Sequence, residues 1–239
     1  MVYKIIFIFI GLYFIGGIIL FSIQDKLIFH PNLLLPDHKF QFKIPFEEMN
    51  FDSPSGNKLN ALYFPTQTER KGIIYYHHGN SHSLSLWGYE AEHLTKLGYD
   101  VLMYDFPQFG KSTGELTTKK IFIDSQFLLD WLEKENPKTP ITLYGRSLGT
   151  GIASQLASRN PTIDKLILET PYYNMAQMAQ TFVAIYPMSL ILRIKIRTHL
   201  YFTKITCPIY IFHGDNDELI PLRQAKRLAK RNKKADLTC

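Results

Sequence analysis

The residues with the clearest chemical potential are Gly145 to Gly149, which read Gly-Arg-Ser-Leu-Gly. They lie between an apolar run that ends at Tyr144 and a helical pattern that starts near Leu148. A serine in this pattern occupies a sharp strand-to-helix turn that exposes its side-chain oxygen, and small flanking residues prevent collisions within the turn. The helix N-terminus beside the serine favours negative charge. Ser147 is therefore a candidate nucleophile, and the N–H of Leu148 is a candidate donor to an oxyanion.

Short apolar runs alternate with helical patterns on both sides of this turn. The pattern predicts strands over residues 49–51, 59–64, 72–76, 101–104, 141–144, 166–168 and 209–212. It predicts helices over residues 86–97 and 121–135, and two more that begin near 148 and 221. Continuous apolar strands separated by helices are typical of parallel strands that are buried on both faces. We therefore predict a three-layer α/β domain over residues 25–239, with a mostly parallel sheet.

The N-terminal segment over residues 5–23 is almost purely apolar. About 20 such residues cross a hydrocarbon core of about 30 Å, so residues 1–24 are predicted to be a transmembrane anchor. A cleaved signal peptide is the alternative, although its apolar stretch is usually only about 7–15 residues long. Lys4 faces Lys26 and Lys39 across the segment, which gives a weak orientation bias. We expect the domain to lie outside the cytoplasm.

Composition narrows the class of protein. The chain has 239 residues, 46% of them hydrophobic and 20% charged, which excludes a disordered chain and fits one core. Cys207 and Cys239 are too few for a disulfide framework and lack metal-ligand spacing. The net charge of +6 is concentrated after residue 190, where eleven basic side chains face four acidic ones. These basic residues lack the interleaved aromatics of nucleic-acid binders, so anionic lipid headgroups are the better partner.

Further motifs follow one another in a recognisable order. They are Gln-Asp-Lys-Leu-Ile-Phe-His-Pro at 24–31, His-Gly-Asn at 78–80, Tyr-Asp-Phe-Pro-Gln-Phe-Gly-Lys-Ser at 104–112, Leu-Glu-Thr-Pro-Tyr at 168–172 and His-Gly-Asp-Asn-Asp-Glu-Leu-Ile-Pro at 213–221. Together with the serine turn, this order resembles the α/β-hydrolase superfamily. More narrowly, it is similar to the membrane-anchored abhydrolase-domain branch, also labelled serine aminopeptidase-like. The resemblance implies a serine hydrolase, and we expect no cofactor and no metal.

The resemblance also implies roles for single residues. Asp217 follows the last clear strand at the family's position for the acid that orients the base. Asp215 lies two residues away, and Glu169 at the end of the preceding strand is a weaker candidate. Asn80 is implied to donate the second backbone N–H of the oxyanion hole, beside that of Leu148.

The histidines near Asn80 have an alternative interpretation. His77, His78 and His82 place three imidazoles within six residues, and a metal site is the alternative interpretation of this cluster. Consecutive residues of a strand point to opposite faces, which disfavours joint ligation by the first two.

The general base is the residue that the sequence leaves unassigned. The family order places it after the acid, but all eight histidines precede Asp217: His30, His38, His77, His78, His82, His93, His199 and His213. We expect a truncated chain that stops at the start of its final strand, near Ala235, so that the last strand and helix are missing. A natural pseudo-enzyme, or an upstream substitute such as His213 or His199, are the alternatives.

Residues 171–206 lie between two predicted strands at the catalytic end of the sheet and predict a lid-like insertion. Its aromatic and methionine side chains suggest an apolar acyl pocket, with Tyr172, Tyr173 and Met178 as candidate substrate-binding residues. An ordinary packed helix explains the same residues equally well.

Two functional hypotheses follow. The first is a membrane-anchored serine hydrolase that cleaves acyl esters or thioesters, with a small or lipid-like acyl substrate and the membrane as partners and no nucleic acid. The second is a catalytically impaired binding or scaffold protein on the same fold, since no histidine follows the acid.

Overall fold

A computed structural model describes residues 2–239 and is built around a central eight-stranded sheet. The strands are β1 His30–Pro31, β2 Glu47–Asp52, β3 Lys58–Phe64, β4 Gly72–His77, β5 Ser81–His82, β6 Tyr99–Tyr104, β7 Ile141–Arg146, β8 Lys165–Glu169, β9 Ile209–Phe212 and β10 Ala235–Thr238. The helices are α1 Val2–Ile28, α2 Leu84–Trp87, α3 Ala91–Lys96, α4 Thr118–Glu135, α5 Leu148–Ala157, α6 Met175–Phe182, α7 Met188–Ile191, α8 Thr198–Phe202 and α9 Arg223–Ala229.

The sheet order is β10-β9-β8-β7-β4-β6-β3-β2, and every pair is parallel except those that β3 makes with β2 and β6. Successive residues of β4 alternate between two apolar clusters: Ile73 and Tyr75 pack with α4 and α5, whereas Ile74 and Tyr76 pack with α2 and α3. The two clusters correspond to helical layers on the two faces of the sheet. The predicted α/β fold with a mostly parallel sheet is confirmed.

The C-terminal residues add a strand to the sheet. Ala235–Thr238 pairs in parallel with β9 over four residues, from Ala235 opposite Ile209 to Thr238 opposite Phe212. The strand that the sequence predicts to start near Ala235 is therefore formed as β10, and the expectation of a truncated chain stays a prediction. Its backbone groups extend the same hydrogen-bonded ladder as its neighbours.

Helix α1 is the predicted N-terminal apolar segment. It has 27 residues and a mean hydropathy of 2.6 over its most apolar window, which is long and apolar enough to cross a membrane. A signal sequence meets the same criteria. The side chains of α1 are mostly exposed, and Gln24 is its one fully buried residue. Between β8 and β9, where the sequence predicts a lid, the chain forms α6, α7 and α8.

A buried carboxylate joins the β2–β3 turn to α4. Asp124 is fully buried, and its Oδ1 accepts hydrogen bonds from the hydroxyls of Ser53 and Ser55. Its Oδ2 accepts a 2.8 Å bond from the Asn57 side-chain amide. The turn needs these bonds because its own polar side chains are buried with it.

Asp124→Ala is expected to lower the free energy of unfolding by about 3 kcal/mol, because it leaves several buried donors without an acceptor. Denaturant unfolding of the full chain in detergent, followed by circular dichroism, measures this change. Asp130→Ala, at an exposed site on the same helix, is the matched control and should cost less than about 0.5 kcal/mol. Equal losses for the two variants would contradict the assigned role of Asp124.

Candidate active site

Ser147 lies in the turn between β7 and α5 with φ 49° and ψ −114°. A positive φ is a strained conformation for a non-glycine residue and persists only where the surrounding structure holds it. Three bonds hold it here: the Ser147 N–H donates to the Glu169 carbonyl at 2.9 Å, and its carbonyl accepts from the N–H and hydroxyl of Thr150. The side chain therefore projects from the end of β7 at the start of a helix.

The two glycines of the motif allow this turn to pack closely. A Cβ atom at Gly145 would lie 2.6 Å from the Gly149 carbonyl oxygen, and one at Gly149 would overlap the carbonyl oxygen of His77. Both positions therefore exclude any side chain without movement of the backbone. The close approach of α5 to the end of β4 brings Ser147 beside the loop that follows β4.

That loop supplies the second predicted oxyanion donor. A Cβ atom at Gly79 would lie 3.8 Å from the Ser147 Cβ, so the loop passes directly beside Ser147. Among the described residues, the backbone N–H groups of Asn80 and Leu148 donate no hydrogen bond. Two uncommitted N–H groups that flank a serine can together stabilise a developing oxyanion.

The end of α1 holds the Asn80 loop in place. The Asn80 side-chain amide donates to the Ile28 carbonyl at 2.6 Å, and the Asn80 carbonyl accepts from the His30 N–H at 2.9 Å. Strands β1 and β5 continue this contact as a short parallel pair. The N-terminal helix is therefore joined directly to the candidate oxyanion hole.

Ser147 opens into a cavity of about 340 Å³ with mainly apolar walls. The walls come from the end of α1, the Asn80 loop, the serine turn, α6 and the loop after β9: Leu27, Ile28, His30, Asn80, Ser81, Ser147, Leu148, Tyr172, Met175, Met178, Ala179, Phe182, Leu219 and Ile220. A cavity of this character suits an acyl chain placed next to a nucleophile.

The structure separates the three predicted pocket residues. Tyr172 and Met178 line the cavity, but Tyr173 does not. The Tyr173 ring instead stacks on His199, with centroids 4.5 Å apart, and the Arg227 guanidinium lies 4.2 Å from its centroid. Adjacent residues of this segment point in different directions, so only one of the two tyrosines reaches the cavity.

Sequence reasoning missed the contribution of the α1 end to the wall. Leu27, Ile28 and His30 belong to the motif at 24–31 that was noted only for its resemblance. The sequence did contain a signal of this contribution to the wall. The motif has polar and aromatic residues and directly follows an apolar segment.

Asp217 is held at the edge of this cavity. Its Oδ1 accepts hydrogen bonds from the N–H groups of Leu219 at 2.9 Å and Ile220 at 2.8 Å, and both of these residues line the cavity. Glu169, the weaker acid candidate, accepts from the Tyr144 hydroxyl at 3.0 Å and pairs with Arg146 at 3.3 Å. Glu169 therefore has a pairing role, and Asp215 is exposed.

The upstream substitutes for the base, His213 and His199, do not line the cavity that contains Ser147. The His213 Nε2 lies 3.7 Å from the Asp217 Oδ2, but this buried ring donates a 2.6 Å bond to the Ile220 carbonyl. His199 stacks on Tyr173, away from the cavity. Of the residues that line the cavity, His30 is the one histidine.

His77 and His78 are structural residues below the site. The His77 ring packs on Tyr75, with centroids 4.3 Å apart, and the His78 ring packs on Phe106 at 4.1 Å. Burial lowers the pKa of His77 to about 3 and that of His78 to about 4. Both imidazoles are therefore neutral at physiological pH. His82 is exposed, and these three imidazoles do not gather within the described part of the chain.

Comparison with known proteins identifies the superfamily. A family model described as the alpha/beta hydrolase fold matches residues 72–190. Lysophosphatidylserine lipase ABHD12 of Mus musculus is 28% identical over 198 residues, which are 72% of this chain and 48% of that protein. Protein ABHD12B of Homo sapiens is 29% identical over 179 residues, 65% of this chain and 48% of that protein. The chain spans about half the length of the curated relatives it matches.

Solved structures share the fold. The esterase Pf2001 of Pyrococcus furiosus superposes with a TM-score of 0.71 at 20% identity, over 88% of this chain and 87% of that one. Est1E of Butyrivibrio proteoclasticus with bound ferulic acid gives 0.68 at 24% identity, over 80% and 88%. The chain belongs to the α/β-hydrolase superfamily. Within that superfamily it is similar to abhydrolase-domain proteins, which are its curated relatives.

Gly149→Ala is expected to lower the free energy of unfolding by about 2 kcal/mol or more, because the new methyl group must displace the end of β4. Gly214→Ala is the matched control, since nothing lies within 4 Å of a Cβ atom at that position. Thermal unfolding of both variants in detergent provides the comparison. If Gly149→Ala is as stable as Gly214→Ala, the close packing described for the turn is incorrect.

The buried imidazoles also predict how stability depends on pH. Between pH 6.5 and 4 the unfolded chain protonates both His77 and His78, because free imidazoles titrate near pH 6.5, while the folded chain leaves them neutral. Each imidazole therefore lowers stability as the pH falls through this window. Burial raises the pKa of Asp105, so this carboxyl group takes up its proton at a higher pH in the folded chain than in the unfolded chain and opposes the trend.

His77→Gln is expected to reduce the number of protons taken up on unfolding by about one within this window. Unfolding midpoints measured at several pH values give that number. His93→Gln, at an exposed site, serves as the control and should follow the parent chain. A parent-like pH dependence for His77→Gln would mean that the imidazole is not held neutral.

Proposed function

We propose that this chain is a membrane-anchored serine hydrolase that cleaves acyl esters of lipid-like substrates. The observation that carries the proposal is the strained Ser147 turn, which lies between two uncommitted N–H groups and opens into an apolar cavity. This arrangement suits acyl transfer, in which negative charge develops on the carbonyl oxygen beside the nucleophile.

In the proposed reaction, the Ser147 Oγ attacks the ester carbonyl carbon and its proton passes to a base. The N–H groups of Asn80 and Leu148 stabilise the oxyanion. The bond to the leaving alcohol then breaks, the alcohol takes the proton from the base, and the acyl group remains on Ser147. Water then attacks the acyl carbonyl carbon and gives a proton to the base. The bond to the Ser147 Oγ breaks, the Oγ takes that proton from the base, and the acid is released.

Asp217 is the proposed acid, and it acts on an imidazole base. Two backbone N–H bonds to its Oδ1 leave the Oδ2 available to orient such a ring. A histidine held by Asp217 is what the family resemblance implies. Within the described residues, His30 is the imidazole that shares the cavity with Ser147, so a variant at His30 tests whether it takes part.

The lipid-like substrate rests on two further observations. The relatives of Mus musculus and other vertebrates are named lysophosphatidylserine lipases, which supports an ester of a fatty acid. The end of the apolar α1 helix forms part of the cavity wall, which supports a substrate that resides in a membrane. We propose α1 as the anchor and an extracytoplasmic catalytic domain.

Ser147→Ala is expected to abolish covalent labelling of the full chain by a fluorophosphonate, which reacts with activated serines. Ser189→Ala, at an exposed serine in α7, is the control and should label like the parent chain. Gel fluorescence after labelling measures both. Asp217→Asn should slow labelling by at least about tenfold, because the base loses its orienting carboxylate.

The outcomes separate the two functional hypotheses. Labelling that survives Ser147→Ala would show that another residue reacts and would overturn the proposed nucleophile. A folded parent chain that shows no labelling and no ester hydrolysis would instead favour the binding or scaffold protein. Loss of labelling in His30→Gln, with the fold intact, would identify His30 as a participant.

A further inference from the structure

The first part of the segment between β8 and β9 has an unusual charge distribution. No charged residue occurs over residues 170–192, and three basic residues, Arg193, Lys195 and Arg197, follow immediately. Several large apolar side chains in the uncharged part are exposed: Phe182 by 61%, Ile185 by 71% and Leu190 by 76%. We name residues 182–191 the cap tip. Such a surface is unusual for a segment in contact with water.

The cap tip packs along α1. The rings of Tyr13 and Tyr186 stack with centroids 4.7 Å apart. The Tyr13 hydroxyl donates to the Ile185 carbonyl at 3.1 Å, and the Tyr186 hydroxyl donates to the Tyr13 carbonyl at 3.0 Å. A side chain at Gly17 would meet the Tyr186 ring. These contacts fix the cap tip beside the middle of the apolar helix.

The position of Tyr13 sets the depth of this contact. Tyr13 precedes Ile23 by ten residues, which correspond to about 15 Å of helix. This distance is about half of the 30 Å hydrocarbon thickness that a spanning helix crosses. If α1 crosses a bilayer, the cap tip that contacts Tyr13 must lie within the hydrocarbon of one leaflet, the one that Ile23 borders.

Polar contacts of Gln24, Asp25 and Arg193, here named the polar collar, lie at the level where the apolar stretch of α1 ends. The Gln24 amide donates to the Ile191 carbonyl at 3.3 Å, and its Oε1 accepts from the Arg193 N–H at 2.8 Å. The Arg193 guanidinium pairs with Asp25 at 2.8 Å and lies over the Phe21 ring. The collar marks the boundary between an apolar and a polar environment.

Basic side chains lie on the polar side of this collar. Arg193, Lys195 and Arg197 are exposed, whereas Leu192, Ile194 and Ile196 between them are buried. This alternation presents the positive groups on one outer side, at the level that anionic headgroups would occupy. Basic residues near an anionic surface are attracted to it.

Side chains satisfy most of the carbonyl groups of the irregular turn before α7. The Gln180 amide donates to the carbonyls of Val183 and Ala184, both at 3.0 Å, and its Oε1 accepts from the Met188 N–H. Tyr13 satisfies the Ile185 carbonyl, as described above. A non-helical segment tolerates a hydrocarbon environment only where its backbone polar groups find partners. The N–H groups of residues 184–186 have no acceptor in the described chain, so burial in hydrocarbon opposes insertion of these three groups while the satisfied carbonyls permit it.

From these observations we infer that the cap tip is a second membrane-embedded element, which lies beside α1 among the acyl chains of one leaflet. The inference rests on the anchoring of α1 in the proposed function. Phe182 of the cap tip and Leu27 of α1 both line the cavity at Ser147, so both elements form part of its wall. A lipid acyl chain then reaches the vicinity of Ser147 from within the leaflet.

Depth-dependent quenching of tryptophan tests this inference on the full chain in phosphatidylcholine vesicles that contain lipids brominated at acyl carbons 6 and 7. Ile185→Trp and Leu190→Trp report on the cap tip, and Phe9→Trp reports on α1. Leu97→Trp, at an exposed site after α3, is the matched control. The emission of Trp87 and Trp131 in the parent chain is subtracted from each variant.

The expected result is that the brominated lipid reduces the emission of the cap-tip and α1 tryptophans and leaves that of Leu97→Trp unchanged. Two cap-tip positions guard against a local misfolding effect of either substitution. Quenching of Phe9→Trp without quenching of Ile185→Trp and Leu190→Trp would overturn the inference while the anchor stands. Absence of quenching in Phe9→Trp would overturn the anchor and the inference together.

Discussion

The junction between the end of α1 and the Asn80 loop determines the geometry of the candidate site. The Asn80 side-chain amide donates a hydrogen bond to the Ile28 carbonyl, and the His30 N–H donates one to the Asn80 carbonyl. Together with the β1–β5 pair, these bonds hold the loop against the strand-to-helix turn of Ser147. Because these bonds use the Asn80 side chain and carbonyl, the Asn80 N–H is left uncommitted for the proposed oxyanion. The same chain segment forms a wall of the cavity, so that one junction positions both the candidate oxyanion donor and the cavity beside Ser147.

A second, buried set of polar groups supports the loop from below. The Asp105 Oδ1 accepts from the Leu84 N–H at 3.0 Å, and the Asp105 carbonyl accepts from the Ser112 hydroxyl at 2.7 Å. The His78 Nε2 lies 3.5 Å from the same carboxyl group. Burial lowers the pKa of His78 and raises that of Asp105, so it favours the neutral form of each group at this contact. The motif at 104–112 therefore has a structural role, in which it positions the loops beside Ser147.

The sequence predicted the fold and the serine turn well because both depend on local patterns. Alternating apolar runs identify parallel strands, and Gly145 with Gly149 leaves room for the turn whichever residues surround it. Side-chain direction in an irregular segment was not predictable: Tyr172 and Tyr173 are adjacent, yet only Tyr172 reaches the cavity. The wall formed by Leu27 and Ile28 depends on contacts between residues more than 50 positions apart, which no local pattern contains.

The direct continuation of α1 into the cavity wall has a geometric consequence. Ile28 ends the helix and contacts Asn80, so no flexible linker separates the apolar segment from the candidate nucleophile. A rigid connection of this kind holds the nucleophile at a constant height above a bilayer that α1 crosses. Substrates would then be selected by the distance between their ester bond and the membrane surface, and not by chain length alone.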